Sequence, residues 1–564
     1  MTKKNISLKR NVFGISIKLA VFASFFILFL FLVKIFDAQA ENITTSVTVG
    51  NAAPSFTVNP FEDPASSTSS PTEVGSDVTW KATGTDTNGD NYYLIVCSSD
   101  SVTPGSGGAP SCGATTWCTS ISTSSGTQAS CNRTALIGDN SSNNWFAFVC
   151  DGIASGAACS SSSQGTGDSG SPFIVNHAPS FSAADNAPGN ANPGGSITWT
   201  TTASDSDGDN IKLLVCKSAG ITDGACNGDN WCTSSLVASN PSCTYNVPSV
   251  APTASNDAYV YVVDAFNTPA SGGAQGSNVD FDINNVNPVV SAVTLNGGVA
   301  IDLTAGTTKA VSLTATVSDN NSCQDISAVE GYVYRSGIGY TGCDTAGEAD
   351  NNHCYPEISC SVSGGTCEGS TDASADYTCS VSLQFYADPT DTNTEYPTDT
   401  WLDTIKATDG ATATGTTELS TGIDVNSLNA ANITGSINYG GLGVGQSNDP
   451  LDKVVTTTPQ GNIGLDQEHS GATNMCVDYP TCSGGTPIGV AYQKYALLSS
   501  TSYATGTELT DSAVPVSINI PKPTTGSPTS GSTWWGILIP TGTEAGAYSG
   551  QNVITTYKSD PLDW

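Results

Sequence analysis

The sequence predicts an all-β protein, built as tandem immunoglobulin-like β-sandwich domains after an N-terminal signal or anchor helix. Three observations carry this. Only 12% of the 564 residues are charged, and the bulk is Gly, Ser, Thr, Ala, Asn and Val, which suits short strands and turns and supplies few strong helix formers. Residues 75–97 and 194–216 align without a gap at a spacing of 119, two copies of one module. The eighteen cysteines fall into clusters of six, four, six and two, the even parity that disulfides inside separate modules produce.

The first forty residues combine a basic start (Lys3, Lys4, Lys9, Arg10, Lys18), an apolar run over 19–33 broken only by Ser24, and a small-x-small site at Ala38-Gln39-Ala40. They are expected to act as a cleaved secretory signal. The alternative is an uncleaved anchor flanked by Lys18 and Lys34, although its span of about fifteen residues is short against the roughly 20 a crossing helix needs. Either route puts the chain outside the cytoplasm or on the cell surface, where disulfides persist. Membrane contact is expected only through this segment. The sequence up to Trp564 shows no apolar tail or sorting motif, so attachment is expected through the leader or by noncovalent assembly.

Without residues 1–40 the chain keeps 11 basic and 50 acidic side chains, a net charge of 11 − 50 = −39. Phosphate binding needs clustered Lys and Arg, so nucleic acid is excluded as an expected partner.

Four modules follow: repeat 1 over 41–176, repeat 2 over 177–286, a diverged Cys-rich third domain over 287–426, and a C-terminal β-sandwich over 427–564. In repeat 1, seven extended runs are expected: around Phe56, then 78–83, 92–97, 116–120, 128–134, 145–151 and 172–175. Seven strands in some 120 residues is the immunoglobulin-like signature. Repeat 2 matches it through Trp80/Trp199, Asp86/Asp205, Gly89-Asp90-Asn91/Gly208-Asp209-Asn210 and Trp117-Cys118/Trp231-Cys232. Each copy opens on Ala-Pro-Ser-Phe, at Ala53 and Ala178, preceded by Asn51 and Asn176; Asn285-Val286-Asn287-Pro288 marks the next entry. In the third module, 311–319 has the cadence of 197–205, and 401–410 echoes 145–152. In the fourth, 433–439, 453–458, 516–520 and 534–539 are expected as strands, with 521–533 a loop.

Cys150 and Cys159 are both absent from repeat 2, which makes them the two ends of one bridge. Cys118 with Cys131 flanks a hairpin-like segment, leaving Cys97 with Cys112; sequence alone keeps three connectivities open for these four. The corresponding pairs are Cys232 with Cys243 and Cys216 with Cys226, and Cys476 stands with Cys482. Connectivity within 323–379 is not determined.

Acidic turns are the best candidates for a site. Asp86-Thr87-Asn88-Gly89-Asp90 and Asp205-Ser206-Asp207-Gly208-Asp209 join the second and third strands, and Asp151 and Asp264 open the loop at the same end of the sandwich. Oxygens from separate segments thus converge, as a hard cation such as calcium requires. Asp, Asn and Gly are equally what a tight turn uses. The pattern resembles bacterial cell-surface proteins with cadherin-like and related immunoglobulin-like repeats, over about 51–287 and into Asp319-Asn320-Asn321. The resemblance implies calcium that stiffens neighbouring modules. Asn88 departs from it, standing where the second copy has Asp207.

Other motifs carry less. Gly441-Leu442-Gly443-Val444-Gly445 precedes no helix and is not a phosphate cradle. His353-Cys354 lies near Cys360, where disulfides outweigh zinc. The other histidines, His177 and His469, neighbour no nucleophile motif. Asp388, Asp391, Glu395 and Asp399 before Trp401 are the one arrangement that would suit a two-carboxylate glycosidase, against a solvated acidic loop. Trp534-Trp535 offers a sugar or partner platform, against a strand core. The expected function is structural and not enzymatic: a surface-layer, stalk or spacer protein of the cell envelope that assembles with itself or other envelope proteins. The alternatives are an adhesin binding glycan or another surface through its last domain, and a secreted carbohydrate-active enzyme.

Overall fold

The computed structural model describes residues 50–363 and 367–564, so the leader lies outside the described residues. These are almost wholly β; the only helical elements among them are single 3-10 turns, and no helix is long and apolar enough to cross a membrane. The chain divides into two compact units, one ending at Asn176 and one running from His177 to Trp564.

In the first unit, one sheet has the order Ser55–Glu62, Asp77–Thr85, Gln128–Thr134, and the other Phe146–Asp151, Tyr92–Cys97, Thr116–Thr119. Alternation places the strands: along Asp77–Thr85, Val78, Trp80 and Ala82 point inward while their neighbours are partly or wholly exposed. The core is aromatic, with Trp80 edge-on to Trp145 and to Phe173. Gly84 leaves room for its neighbours, because a Cβ there would meet the Tyr92 ring and Val149 at 3.0 Å and press them back by a few tenths of an ångström. Cys118–Cys131 ties one sheet to the other.

The second unit opens with the same sandwich: Ser180–Ala187, Ser196–Ser204, Cys243–Asn246 in one sheet and Asn230–Thr233, Ile211–Cys216, Tyr259–Asp264 in the other, over Trp199 and Phe281. The third module differs. The strand Cys354–Val362 pairs with both Ile326–Arg335 and Ser374–Leu383, so the two sheets merge into one seven-stranded sheet that runs from Val289–Leu295 to Thr414–Glu418. That sheet curls until Thr417 Oγ1 donates to the Val290 carbonyl. Cys360–Cys379 sits across the added pairing.

The fourth module has a sheet of order Ala431–Ile433, Lys453–Pro459, Gly531–Ile537, Gln493–Ala496, Thr507–Glu508, and a second of order Val514–Ile520, Leu465–Gly471, Asn552–Lys558. The strand expected over 433–439 stops at Ile433. Thr434 Oγ1 takes the Thr456 carbonyl and accepts from the Thr456 amide, which ends the ladder, and the chain leaves the sheet. Trp535 is core, against His469 and Tyr495, while Trp534 is half-buried on the other face, so the pair is not a platform.

All eighteen cysteines are joined in nine disulfides: 97–112, 118–131, 150–159, 216–226, 232–243, 323–367, 343–354, 360–379 and 476–482. Cys354 is therefore no zinc ligand.

Candidate cation sites at the module entries

In each of the first three modules the second strand runs straight into an acidic turn, at Asp86, Asp205 and Asp319, and a later strand ends on a buried aspartate, at Asp151, Asp264 and Asp409. Strand pairing brings the two ends together, because Asp151 lies opposite Tyr92 and Asp264 opposite Ile211, just after each turn.

In the first module, Asp86 Oδ1 accepts from the amides of Asn88 (2.7 Å) and Asp90 (3.3 Å), which curls the turn around it. Asp151 Oδ1 accepts from the Ala158 amide and Oδ2 from Asn51 Nδ2 at 2.7 Å. Asp86 Oδ2 and Asn51 Oδ1 are buried and meet no donor among the described residues. Burial, with the charges of Asp86 and Asp151, holds the Asp90 carboxyl above its usual range.

In the second, oxygens of Asp205, Asp207 and Asp209 lie within 4.8 Å of one another. Burial foremost, with the charges of Asp207 and Asp264, raises the Asp205 carboxyl, and its Oδ2 is buried with no donor. Asp264 Oδ1 accepts from the amides of Phe266 and Thr268. Asp207 is partly committed elsewhere: it accepts from the His177 amide at 2.6 Å and lies 3.0 Å from His177 Nδ1.

The third module holds a cluster that the sequence did not point to as a set. Oxygens of Asp319, Asp325 and Asp409 lie within 4.8 Å of one another, with Asp319 and Asp409 each only 1% exposed. Oδ2 of Asp319 and of Asp325 are buried without a donor, and burial foremost, with the charges of Asp325 and Asp409, raises the Asp319 carboxyl. Asn285 Nδ2 donates to Asp409 Oδ2 at 2.7 Å, as Asn51 does to Asp151. The echo of 145–152 in 401–410 carried the signal for Asp409; Asp325 had none.

A second device, invisible in the sequence, recurs beside these sites. Asn88 accepts from the Ala52 amide and donates to the Gly50 carbonyl. Asn321 accepts from Val286 and donates to Asn284, and Asn462 accepts from Leu428 and donates to Asn426. Each amide side chain thus grips two alternate peptide groups of the entering chain, as a neighbouring strand would. This explains Asn88: an aspartate accepts but cannot donate, and Asp207 holds only the amide side of its entry.

The fourth module reverses the charge. Its corresponding strand ends at Lys558, whose Nζ donates to Ser427 Oγ at 2.9 Å and the Thr392 carbonyl at 3.0 Å, beside Asp391. A fixed ammonium occupies the place of the carboxylates.

The acids before Trp401 form no open groove. Asp388 is buried between Arg335 (3.1 Å) and Lys522 (2.7 Å), Asp399 pairs with Arg335, Asp391 accepts from Ser427, and Trp401 is fully buried. Asp388 and Lys522 instead join the third and fourth modules, aided by Asn462 on the Ala387 carbonyl.

No family model matches the chain, and no curated protein does. Among solved structures it is similar to a marsupial T cell receptor (10% identity, 64% of this chain and 100% of that one, TM-score 0.28). It is also similar to an amphioxus IgVJ-C2 molecule (12% identity, 38% and 98%, TM-score 0.19). These are immunoglobulin-like proteins. At such scores the fold assignment rests on the strand order given above, and nothing about function is taken from them. Nothing found here supports cadherin-like repeats or a bacterial source.

Proposed function

We propose that this chain is an exported structural protein of the cell envelope, a surface-layer, stalk or spacer element whose module entries bind calcium. The observation that supports it most is a carboxylate cluster with buried oxygens that face no donor in the second and third modules, with a buried unpaired Asp86 oxygen at the same place in the first. Buried unpaired carboxylate oxygens are costly, and a divalent cation with several oxygen ligands removes that cost. The nine disulfides, with no thiol left free, agree with a chain folded outside the reducing cytosol. The carbohydrate-active reading draws no support from 388–399, whose carboxylates are ion-paired or hydrogen-bonded around a core tryptophan.

Calorimetry of the intact chain tests the calcium reading. Extracellular modules bind calcium with Kd of about 0.1–1 mM, so about 10 mM calcium should raise the melting temperature and EDTA reverse it. Asp205→Asn and Asp319→Asn should each remove part of the rise. A melting profile indifferent to calcium, chelator and both substitutions rejects the metal. Chelator extraction of intact cells tests the role: an abundant band fits a lattice subunit, and a rare one argues against it.

A further inference from the structure

In the first three modules, the strand that ends on the buried aspartate is flanked on both sides. In module one, Phe146–Asp151 pairs with Tyr92–Cys97 and, on its other edge, bridges Ser163 from Ala147 and Cys159 from Cys150. In module two, Tyr259–Asp264 is bridged by Pro269 and Asn278. In module three, Trp401–Asp409 pairs with Thr414–Glu418. The closing segment then returns parallel to the start of the module: Val175 opposite Thr72, Ile283 opposite Ala191, Val425 opposite Ile301.

The fourth module has neither feature among its described residues. Asn552–Lys558 is an edge strand, paired only with Leu465–Gly471. Burial registers the difference. Five of six residues are buried in each of Phe146–Asp151 and Tyr259–Asp264, and none of seven in Asn552–Lys558. Between this edge and residues 433–437 runs a cleft of about 440 Å³, walled by Ile433 and Ile437 on one side and Asn552 and Ile554 on the other. It adjoins a second cleft of about 680 Å³, sharing Ile437, Tyr439 and Met475. The space beside the Asn552–Ile554 end of the strand is open, and its lining mixes Val455 and Met475 with the polar Gln493 and Gln551.

Residues 43–49, Ile-Thr-Thr-Ser-Val-Thr-Val, lie outside the described residues but have a plain sequence character. Six of the seven are β-branched, Ile43, Thr45, Val47 and Val49 alternate with Thr44, Ser46 and Thr48, and none is charged. Their length equals that of Asn552–Lys558. On a chain of net charge −34, charge repulsion opposes self-association least between uncharged surfaces, and this segment and the cleft walls are both uncharged.

We propose that residues 43–49 of a second copy enter this cleft as the missing strand, antiparallel to Asn552–Lys558 and parallel to residues 433–437, joining copies head to tail. Asn429 Nδ2 already donates to the outward carbonyl of Thr556, so the main-chain hydrogen bonds that supply affinity form at the open end of the edge, around Asn552 and Ile554, and alternate side chains set the register against Ile437, Met475 and Ile554. Donor and acceptor lie in different modules, so the contact is heterologous and repeats without consuming itself. This reading needs no calcium and names how copies join within the assembly role.

Analytical ultracentrifugation of the exported chain tests it, beside a chain deleted for residues 41–49. The full chain should form a concentration-dependent ladder that persists in EDTA, and the deleted chain should be monomeric. A synthetic peptide of residues 41–50 should bind the deleted chain and slow amide exchange across Asn552–Lys558, whereas the Val47→Asp peptide should not. Ile554→Asp, mixed into the full chain, keeps its donor segment but not its cleft and should shorten the ladder. A full chain monomeric at every concentration, a peptide that leaves exchange at 552–558 unchanged, or protection of 552–558 inside a monomer each overturns the proposal. A ladder dissolved by EDTA alone also overturns it, while leaving the calcium reading standing.

Discussion

Asp403 gives the sharpest test of the energetics. It sits on Trp401–Asp409, fully buried, with both carboxylate oxygens lacking a donor, and burial raises its pKa from 3.8 to about 7. The folded state therefore prefers the protonated acid. The stability this contributes is fully present below pH 3.8 and is lost as pH rises through about 7. The loss is 7 − 3.8 = 3.2 pK units, or about 4 kcal/mol at 1.36 kcal/mol each. Asp403→Asn is neutral at every pH and keeps the shape. It should match the parent within about 1 kcal/mol near pH 4 and exceed it by up to about 4 kcal/mol near pH 8. Hydrogen exchange of the amides of Trp401–Asp409, measured from pH 4 to 8 and corrected for intrinsic rates, reads the third module without interference from the others. Parallel stability curves for parent and variant, or a carboxyl resonance of Asp403 titrating near 4, would refute the reasoning.

His469 runs the other way: buried against Tyr495 and Trp535, its pKa falls from 6.5 to about 4. Its contribution is present above pH 6.5 and lost as pH falls through 4, worth about 3 kcal/mol, so His469→Phe should flatten the acid limb of a fourth-module melt. Asn321→Ala strips partners from the Val286 amide and the Ala251 and Asn284 carbonyls and should cost about 3 kcal/mol, read by denaturant unfolding of the intact chain. Replacing Cys118 and Cys131 together by alanine opens a loop with a sequence separation of 13 residues. This should cost about 3 kcal/mol, seen as a lower melting temperature of the first module.

The class of fold was legible because strand alternation and module repetition are local or pairwise properties of a chain. Val78, Trp80 and Ala82 mark an inward face by spacing alone. The joint absence of two cysteines from repeat 2 points to the Cys150–Cys159 bridge that the structure contains. The acidic turns were legible as turns, and their meeting with Asp151 and Asp264 followed from sandwich topology. Asp325 was not legible, since a 3-10 turn at Cys323–Asp325 folds it back toward Asp319 and the pairing of Ile326 with Asp409 brings it to the third carboxylate. Nor were the acids at 388–399, whose fate depends on Arg335 and Lys522, distant in sequence.

By itself the sequence determined the β class, the module repetition and the even pairing of the cysteines, because composition, spacing and cysteine parity need no third dimension. Tertiary structure alone decided which oxygens stay unpaired, which asparagines grip an entering chain, and that the last module leaves a strand's width open. Those depend on what is absent beside a group, and absence is a property of packing.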